Sequence, residues 1–113
     1  MSVLERRAAD DAAARLSAAA AGYALGAPVE EIVGEGRGSA AAAFARQVAM
    51  YLCHVALEWS LGRVAQAFGR DRSTVAHACH TIEDRREDDA FDDWVAALEE
   101  SVRVAAPARG ARQ

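Results

Sequence analysis

Lysine is absent from this sequence of 113 residues, and all 13 basic residues are arginine. Residues that favour β-strands are also scarce. Aromatic residues make up 6% of the chain, and Val, Ile and Thr never alternate with polar residues over the length of a strand. Alanine dominates the apolar fraction instead. These shortages exclude a β-rich protein and predict a single all-α domain of five or six helices.

Cysteine and long apolar runs are limited as well. The chain has two cysteines and no apolar stretch long enough to span a bilayer. Its N-terminus carries Glu5, Asp10 and Asp11 and has no apolar signal segment. We therefore expect a cytoplasmic protein that forms no disulfide and does not bind a membrane.

Charge is distributed unevenly along the chain. Acidic residues outnumber basic ones by 17 to 13, which argues weakly against a nucleic-acid partner. However, four arginines and only two acids lie between Phe44 and Ile82, whereas nine acids and two arginines lie between Glu83 and Glu100. A local positive region therefore precedes an acidic segment. The acidic segment is most simply a solvated helix face, and the alternative is a site for another protein.

Hydrophobic spacing and helix-ending residues predict the order of the helices. A first helix covers about 3–24 and is stopped by Gly26, and Pro28 begins a short second helix. A longer helix runs from Ala40 to about Glu58, with an apolar stripe of Phe44, Val48, Tyr51, Leu52 and Val55. These patterns divide the chain into an N-terminal helix (1–26), a helical domain (27–104) and a disordered tail (105–113).

Two short helices follow, between Ser60 and Arg86. Ser60 is the predicted N-cap of a helix that ends at Phe68, where Gly69 stops it. Asp71 or Ser73 caps the next helix, which carries an apolar face of Val75, Ala78, Cys79 and Ile82. A last helix begins in the acidic run 88–93, with an apolar stripe of Phe91, Trp94, Val95, Leu98 and Val102.

This pair of short helices has the dimensions of a helix-turn-helix. In that motif the second helix enters the major groove of DNA, and its first residues meet the base edges. The recognition helix is predicted at about 72–86, and its start offers side chains suited to bases or phosphates: Asp71, Arg72, Ser73 and Thr74. Arg70 and Arg46 are candidate phosphate contacts. From geometry alone, an ordinary helical hairpin with a solvated turn is an equal alternative.

The same region resembles a known family. Residues 45–52 (ARQVAMYL), 60–61 (SL) and 67–79 (AFGRDRSTVAHAC) are similar to the C-terminal DNA-binding domain of DnaA, the bacterial replication initiator. The resemblance implies a fold of the Trp repressor class and sequence-specific binding to double-stranded DNA. It further implies a stand-alone, nucleoid-associated regulator of replication initiation or transcription, without the initiator's ATPase domain.

The resemblance also implies roles for single residues. Arg46 and Gln47 match phosphate-holding positions, and Leu61 matches a residue beside the DNA backbone. The base-reading trio corresponds to Asp71, Arg72 and Ser73. Thr74 matches a phosphate-contacting hydroxyl, and His77 matches a histidine of the family motif.

Departures from the family pattern accompany these matches. No Gly-rich phosphate loop of the Walker type occurs, so no nucleotide cofactor is expected. Arg72 stands where the family has His, and Gly62 stands where it often has Pro. One Gly of the turn is missing, and the family's basic arm is reduced here to Arg37. These changes leave the affinity and the recognised site in question.

Other kinds of site are disfavoured by spacing. The set Cys53, His54, His77, Cys79 and His80 lacks the Cys-x-x-Cys pattern of a structural zinc site, so no metal is expected. No Ser, His and acid arrangement indicates a nucleophile, and we expect no enzyme. The alternative function is a protein-interaction module that modulates the replication initiator and keeps the helix-turn-helix as a scaffold.

Overall fold

The computed structural model describes residues 2–106, and within them it has six α-helices and no strand. The helices are α1 (Val3–Leu25), α2 (Val29–Val33), α3 (Ala40–Tyr51), α4 (Leu61–Phe68), α5 (Arg72–Arg85) and α6 (Asp89–Ala105). The all-α prediction is confirmed. Of the predicted tail, Ala105 instead ends α6, and 107–113 lie outside the described residues.

Helix α1 is long because alanine is the strongest helix former and because both ends are capped. The Ser2 hydroxyl accepts a hydrogen bond from the Glu5 amide, and the Glu5 carboxylate accepts one from the Ser2 amide. Gly26 ends the helix in the left-handed conformation, with φ of 72°. Buried alanines such as Ala18 and Ala21 let α1 pack closely on α3, so this helix contributes to the same core as the rest of the fold.

Helix α3 does not continue as an α-helix to Glu58. It passes at Leu52 into a π-helical turn, Leu52–Ala56, in which the Leu57 amide donates to the Leu52 carbonyl. The wider turn changes which side chains face inward. Val48, Tyr51 and Leu52 are buried as the stripe predicts, whereas Val55 is 36% exposed. The chain stays helical to Ala56, close to the predicted end at about Glu58, but the last turn is π-helical and the predicted inward position of Val55 is wrong.

The recognition-helix candidate α5 is held at its C-terminal end by a polar network around Arg86. Tyr51 of α3 donates its hydroxyl to Glu83 (2.7 Å) and accepts from Arg86 (3.1 Å). Arg86 also pairs with Asp92 (2.5 Å) and Glu99 (3.0 Å) of α6. Two members of the acidic segment thus neutralise one arginine inside the fold. The network joins α3, α5 and α6 at a half-buried position.

Candidate nucleic-acid interface

Local sequence fixes the hairpin of α4 and α5. The Ser60 hydroxyl accepts from the Arg63 amide at 3.1 Å and so caps α4. Gly69 has φ of 63°, and the Arg70 amide donates back to the Ala65 carbonyl at 3.0 Å, which closes the turn. Asp71 takes the N-cap position of α5, although its carboxylate makes no capping hydrogen bond. The predicted start and stop at Ser60 and Gly69 are confirmed.

The first turn of α5 projects polar side chains away from the core. Arg72, Ser73 and Thr74 are exposed, while Val75 directly after them is fully buried. Within residues 2–106, these three side chains make no hydrogen bond or ion pair. The core therefore anchors the helix and leaves its first polar groups unused by the fold.

A cleft of about 320 Å³ lies between α3 and α5. Its polar lining brings together five of the nine predicted DNA-binding residues and adds Arg37; the five are Arg46, Gln47, Arg70, Thr74 and His77. Asp71, Arg72 and Ser73 are not among the residues that line it. Leu61 lies elsewhere, in a groove on another side of α5 that it shares with Val55, Ala76 and Cys79. The candidate residues thus surround the start of α5 on more than one side.

Arg46 is 5% exposed, and most of its donors are used inside the protein. Its Nε donates to the Ile32 carbonyl at 2.7 Å, and its Nη2 lies within 3.2 Å of the carbonyl oxygens of Glu31, Gly36 and Arg37. These contacts leave only Nη1 of the guanidinium available for the predicted phosphate contact. Arg46 is first a residue that holds the loop before α3, and a phosphate contact stays a prediction for Nη1 alone.

Arg70 acts on the same loop from the other side. Its Nη2 donates to the Gly34 carbonyl at 2.6 Å and to the Gly36 carbonyl at 3.0 Å. Its buried Nε has no hydrogen-bond partner among the described residues. A contact between Arg70 and DNA stays a prediction, and the Nη2 group is not available for it because Nη2 already donates to the loop.

The cleft carries concentrated positive charge. Burial lowers the pKa of Arg46 below its usual value, and repulsion from the neighbouring Arg70 and Arg37 lowers it further. Arginine stays protonated even so, and the three charges therefore coexist at one place. Such a site attracts anions, although the net charge of the chain is −4.

Sequence reasoning gave Arg37 little weight. The structure lines the cleft with this residue and holds its carbonyl through Arg46. The loop is fixed further where the Ser39 amide donates to the Glu31 carboxylate at 2.6 Å, a bond that also lowers the pKa of Glu31. The glycines around Arg37 were the available signal, and Gly38 has φ of 73°.

In the described part of the chain, no group of three or more His, Cys, Asp and Glu side chains is placed to hold a metal ion. Cys53 is fully buried, and its thiol lies 3.4 Å from the Ser17 hydroxyl. Burial raises the pKa of Cys53 to about 12 and that of Cys79 to about 11, so both thiols stay protonated at neutral pH.

None of the helices within residues 2–106 is both long enough and apolar enough to cross a membrane.

Comparison with known proteins places this geometry in a family. The family model described as the bacterial DnaA protein helix-turn-helix matches residues 21–82, which is more than half of the chain. A solved structure titled as that of a DNA replication initiation factor is 28% identical, with a TM-score of 0.77. The match covers 92% of this chain and 32% of the other. The present chain therefore spans about a third of that protein. The matched region includes α2 to most of α5, and the chain belongs to the bacterial DnaA helix-turn-helix family.

Proposed function

We propose that this protein binds double-stranded DNA sequence-specifically, with α5 in the major groove, and thereby regulates replication initiation or transcription. The main support is a single polar surface at the start of α5. The unused polar first turn of α5 lies next to a cleft that concentrates three arginines. Membership of the DnaA helix-turn-helix family supports it. In this role the protein acts on DNA in the cytoplasm and catalyses no reaction.

The arrangement suits the two tasks of a DNA interface, which are to fix position and to read sequence. The cleft with Gln47, Thr74 and His77 offers donors to phosphates along one side of α5. The N-terminal end of α4, at Leu61, offers backbone amides on another side. Between these contacts, Asp71, Arg72 and Ser73 face the base edges.

Arg72 is the residue we expect to set the preferred base. A guanidinium pairs in a fork with O6 and N7 of guanine and discriminates against other bases by about 1–3 kcal/mol. The competing partner is Asp71, and an exposed pair of this kind contributes only about 0–1 kcal/mol. No ion pair joins the two side chains in the described structure. Arg72 should therefore bind guanine in preference to Asp71.

Selection of bound duplexes from a random pool tests the proposal. The parent chain should enrich a site related to that of the initiator, with a guanine that depends on Arg72. Arg72→His should relax or shift that one position. The matched control is Arg103→His, which changes the same residue type in the last turn of α6 and should leave the selected site unchanged.

Two results would count against this function. An Arg72→His variant that selects the same guanine would remove the base-reading role of Arg72. If the folded parent enriches no sequence at all, the helix-turn-helix does not read DNA, and the protein-interaction module becomes the better explanation.

A further inference from the structure

The outer face of α1 is uncovered along its whole length. The opposite face of this helix packs on α3, but seven outward residues are all exposed: Leu4, Ala8, Asp11, Ala12, Arg15, Ala19 and Tyr23. The two large apolar side chains among them are at the ends, with Leu4 80% exposed and Tyr23 94% exposed. Single exposed apolar side chains are ordinary on a protein surface, so the two alone do not define a contact surface, and it is the whole row of residues between them that indicates one.

We propose that this face pairs with the same face of a second copy, as two antiparallel helices related by a twofold axis. The axis would pass α1 midway between residues 13 and 14. Positions at equal distance from that point then meet across the pair. Leu4 meets Tyr23 of the second copy, and Ala8 meets Ala19. An isologous contact of this kind needs a surface complementary to itself.

The sizes of the side chains meet that condition. Each end of the pair places a tyrosine ring against a leucine, and a ring buried on an aliphatic side chain gains apolar contact. The alanines between them have small side chains, which let the two helix backbones approach closely. The inward face of α1 shows the same use of alanine, since Ala14 and Ala18 pack it against the core.

The charges on this face of α1 are also complementary to themselves across the twofold axis. In the antiparallel arrangement Asp11 lies within one residue of the level of Arg15 of the second copy, and the relation is reciprocal, so two equal ion pairs form. Within one chain, no ion pair of 4.0 Å or less joins Asp11 to Arg15, and Arg15 instead contacts Glu30 at 2.7 Å. That pair is well exposed on both sides, so it holds Arg15 only weakly.

Reciprocity also argues for the identity of the partner. The face carries one acid and one base and is therefore neutral, which gives no attraction to a strongly charged partner such as nucleic acid. The face shares no residue with the cleft or with the first turn of α5. A dimer formed in this way leaves both DNA-reading surfaces free, and it does not depend on the proposed function.

Charge exchange gives the first test. By light scattering across a concentration series, the parent should rise from the monomer mass of 12.0 kDa towards twice that value. A single helix pair is a small interface, so a dissociation constant on the order of 100 µM is expected. Asp11→Arg alone and Arg15→Asp alone should each weaken association at least about 10-fold. The double variant should restore it, because both ion pairs form again in reverse.

Glu30→Gln is the matched control, since it changes a charge next to Arg15 outside the face. It should leave association unchanged or strengthen it. Circular dichroism of every variant checks that the helices are intact. A folded parent that stays monomeric up to about 1 mM would overturn the proposal. A double variant, Asp11→Arg with Arg15→Asp, that associates no better than either single variant would also overturn it.

Cysteine cross-linking tests the direction of the pair. In a Cys79→Ser background, Ala8→Cys combined with Ala19→Cys should form a cross-linked dimer under mild oxidation. Ala8→Cys alone should not, because the two copies of position 8 would lie about 16 Å apart along the helices. Cross-linking by the single variant as efficient as by the double would contradict the antiparallel arrangement.

Discussion

The arginines of this protein differ in what their guanidinium groups touch. Arg46 and Arg70 hold carbonyl oxygens of the loop before α3. The Arg85 guanidinium lies over the rings of both Phe44 and Phe91, 4.7 and 4.5 Å from their centroids. Arg72 has no such partner among the described residues. At this scale, the fold uses the guanidinium groups of some arginines and leaves that of Arg72 exposed, where we propose that it contacts DNA.

Replacement of Arg46 should cost stability. Arg46→Ala leaves the carbonyl groups of the loop without their donors, and hydrogen bonds to a charged group contribute about 1.5–3 kcal/mol. We expect the free energy of unfolding in urea to fall by about 3 kcal/mol. Arg72→Ala, at an exposed position, should change it by no more than about 0.5 kcal/mol. Equal effects of the two substitutions would show that Arg46 does not brace the loop.

The phenol of Tyr51 should ionise at unusually high pH. Burial and then the hydrogen bond to Glu83 raise its pKa to about 12, against the opposing effect of Arg86. Because the unfolded pKa is about 10, the folded state keeps a proton that the unfolded state loses. The stability that this group contributes is complete below pH 10 and falls as pH rises from 10 towards 12.

Absorbance at alkaline pH checks this in a Tyr23→Phe variant, where Tyr51 is the sole tyrosine. Ionisation should be centred near pH 12 or should coincide with the loss of helical circular dichroism. A midpoint near pH 10 in a protein that is still helical would contradict the buried network around Arg86.

At the scale of the elements, two glycines of α4 have opposite conformational requirements: Gly62 lies inside its first turn, and Gly69 follows its last residue. A Cβ at Gly62 meets nothing within 4 Å, whereas Gly69 has a left-handed φ of 63°. Gly62→Ala should therefore raise the free energy of unfolding by about 0.5–1 kcal/mol, and Gly69→Ala should lower it by about 1 kcal/mol or more. Thermal unfolding of both variants measures the difference. Two shifts of the same sign would argue against a helix that begins at Leu61 and ends at Phe68.

The same element shows what could be predicted from sequence. Ser60 and Gly69 are local signals, since each acts through its own backbone and nearest turn, and they predicted the bounds of α4 correctly. The π-helical turn after Tyr51 has no such signal. Its apolar spacing fits an α-helix equally well, and the extra residue per turn is decided by packing around Leu52 and Cys53, which are both fully buried.

The candidate site was partly predictable for the same reason. The motif identified the polar first turn of α5 by position. The exposure of these side chains depends only on the side of α5 on which each residue lies. The partners of Arg46 and Arg70 depend on the loop before α3, which lies up to 36 residues away in sequence. A motif gives residue types at positions, but it does not give the tertiary contacts that use them.

At the scale of the whole molecule, opposite charges are kept apart. The cleft concentrates arginine, while the acidic segment lies on α6 and at the end of α5. Asp92 and Glu99 are used internally by Arg86, and the Asp88 carboxylate caps α6 by accepting from the Phe91 amide at 2.8 Å. A negative net charge is therefore compatible with an anion-binding surface, because the interaction is local.

Matched charge reversals test most directly whether the start of α5 binds DNA. Arg72→Glu and Arg103→Glu change the net charge equally, one at the proposed interface and one on α6. Fluorescence anisotropy with a labelled duplex, at several salt concentrations, measures the affinity of each folded variant. Arg72→Glu should weaken binding at least about 10-fold and Arg103→Glu less than about 3-fold. Parent affinity should fall by roughly one log unit per log unit of salt for each phosphate contact. Equal losses in the two variants, or parent binding that ignores salt, would contradict DNA binding by this surface.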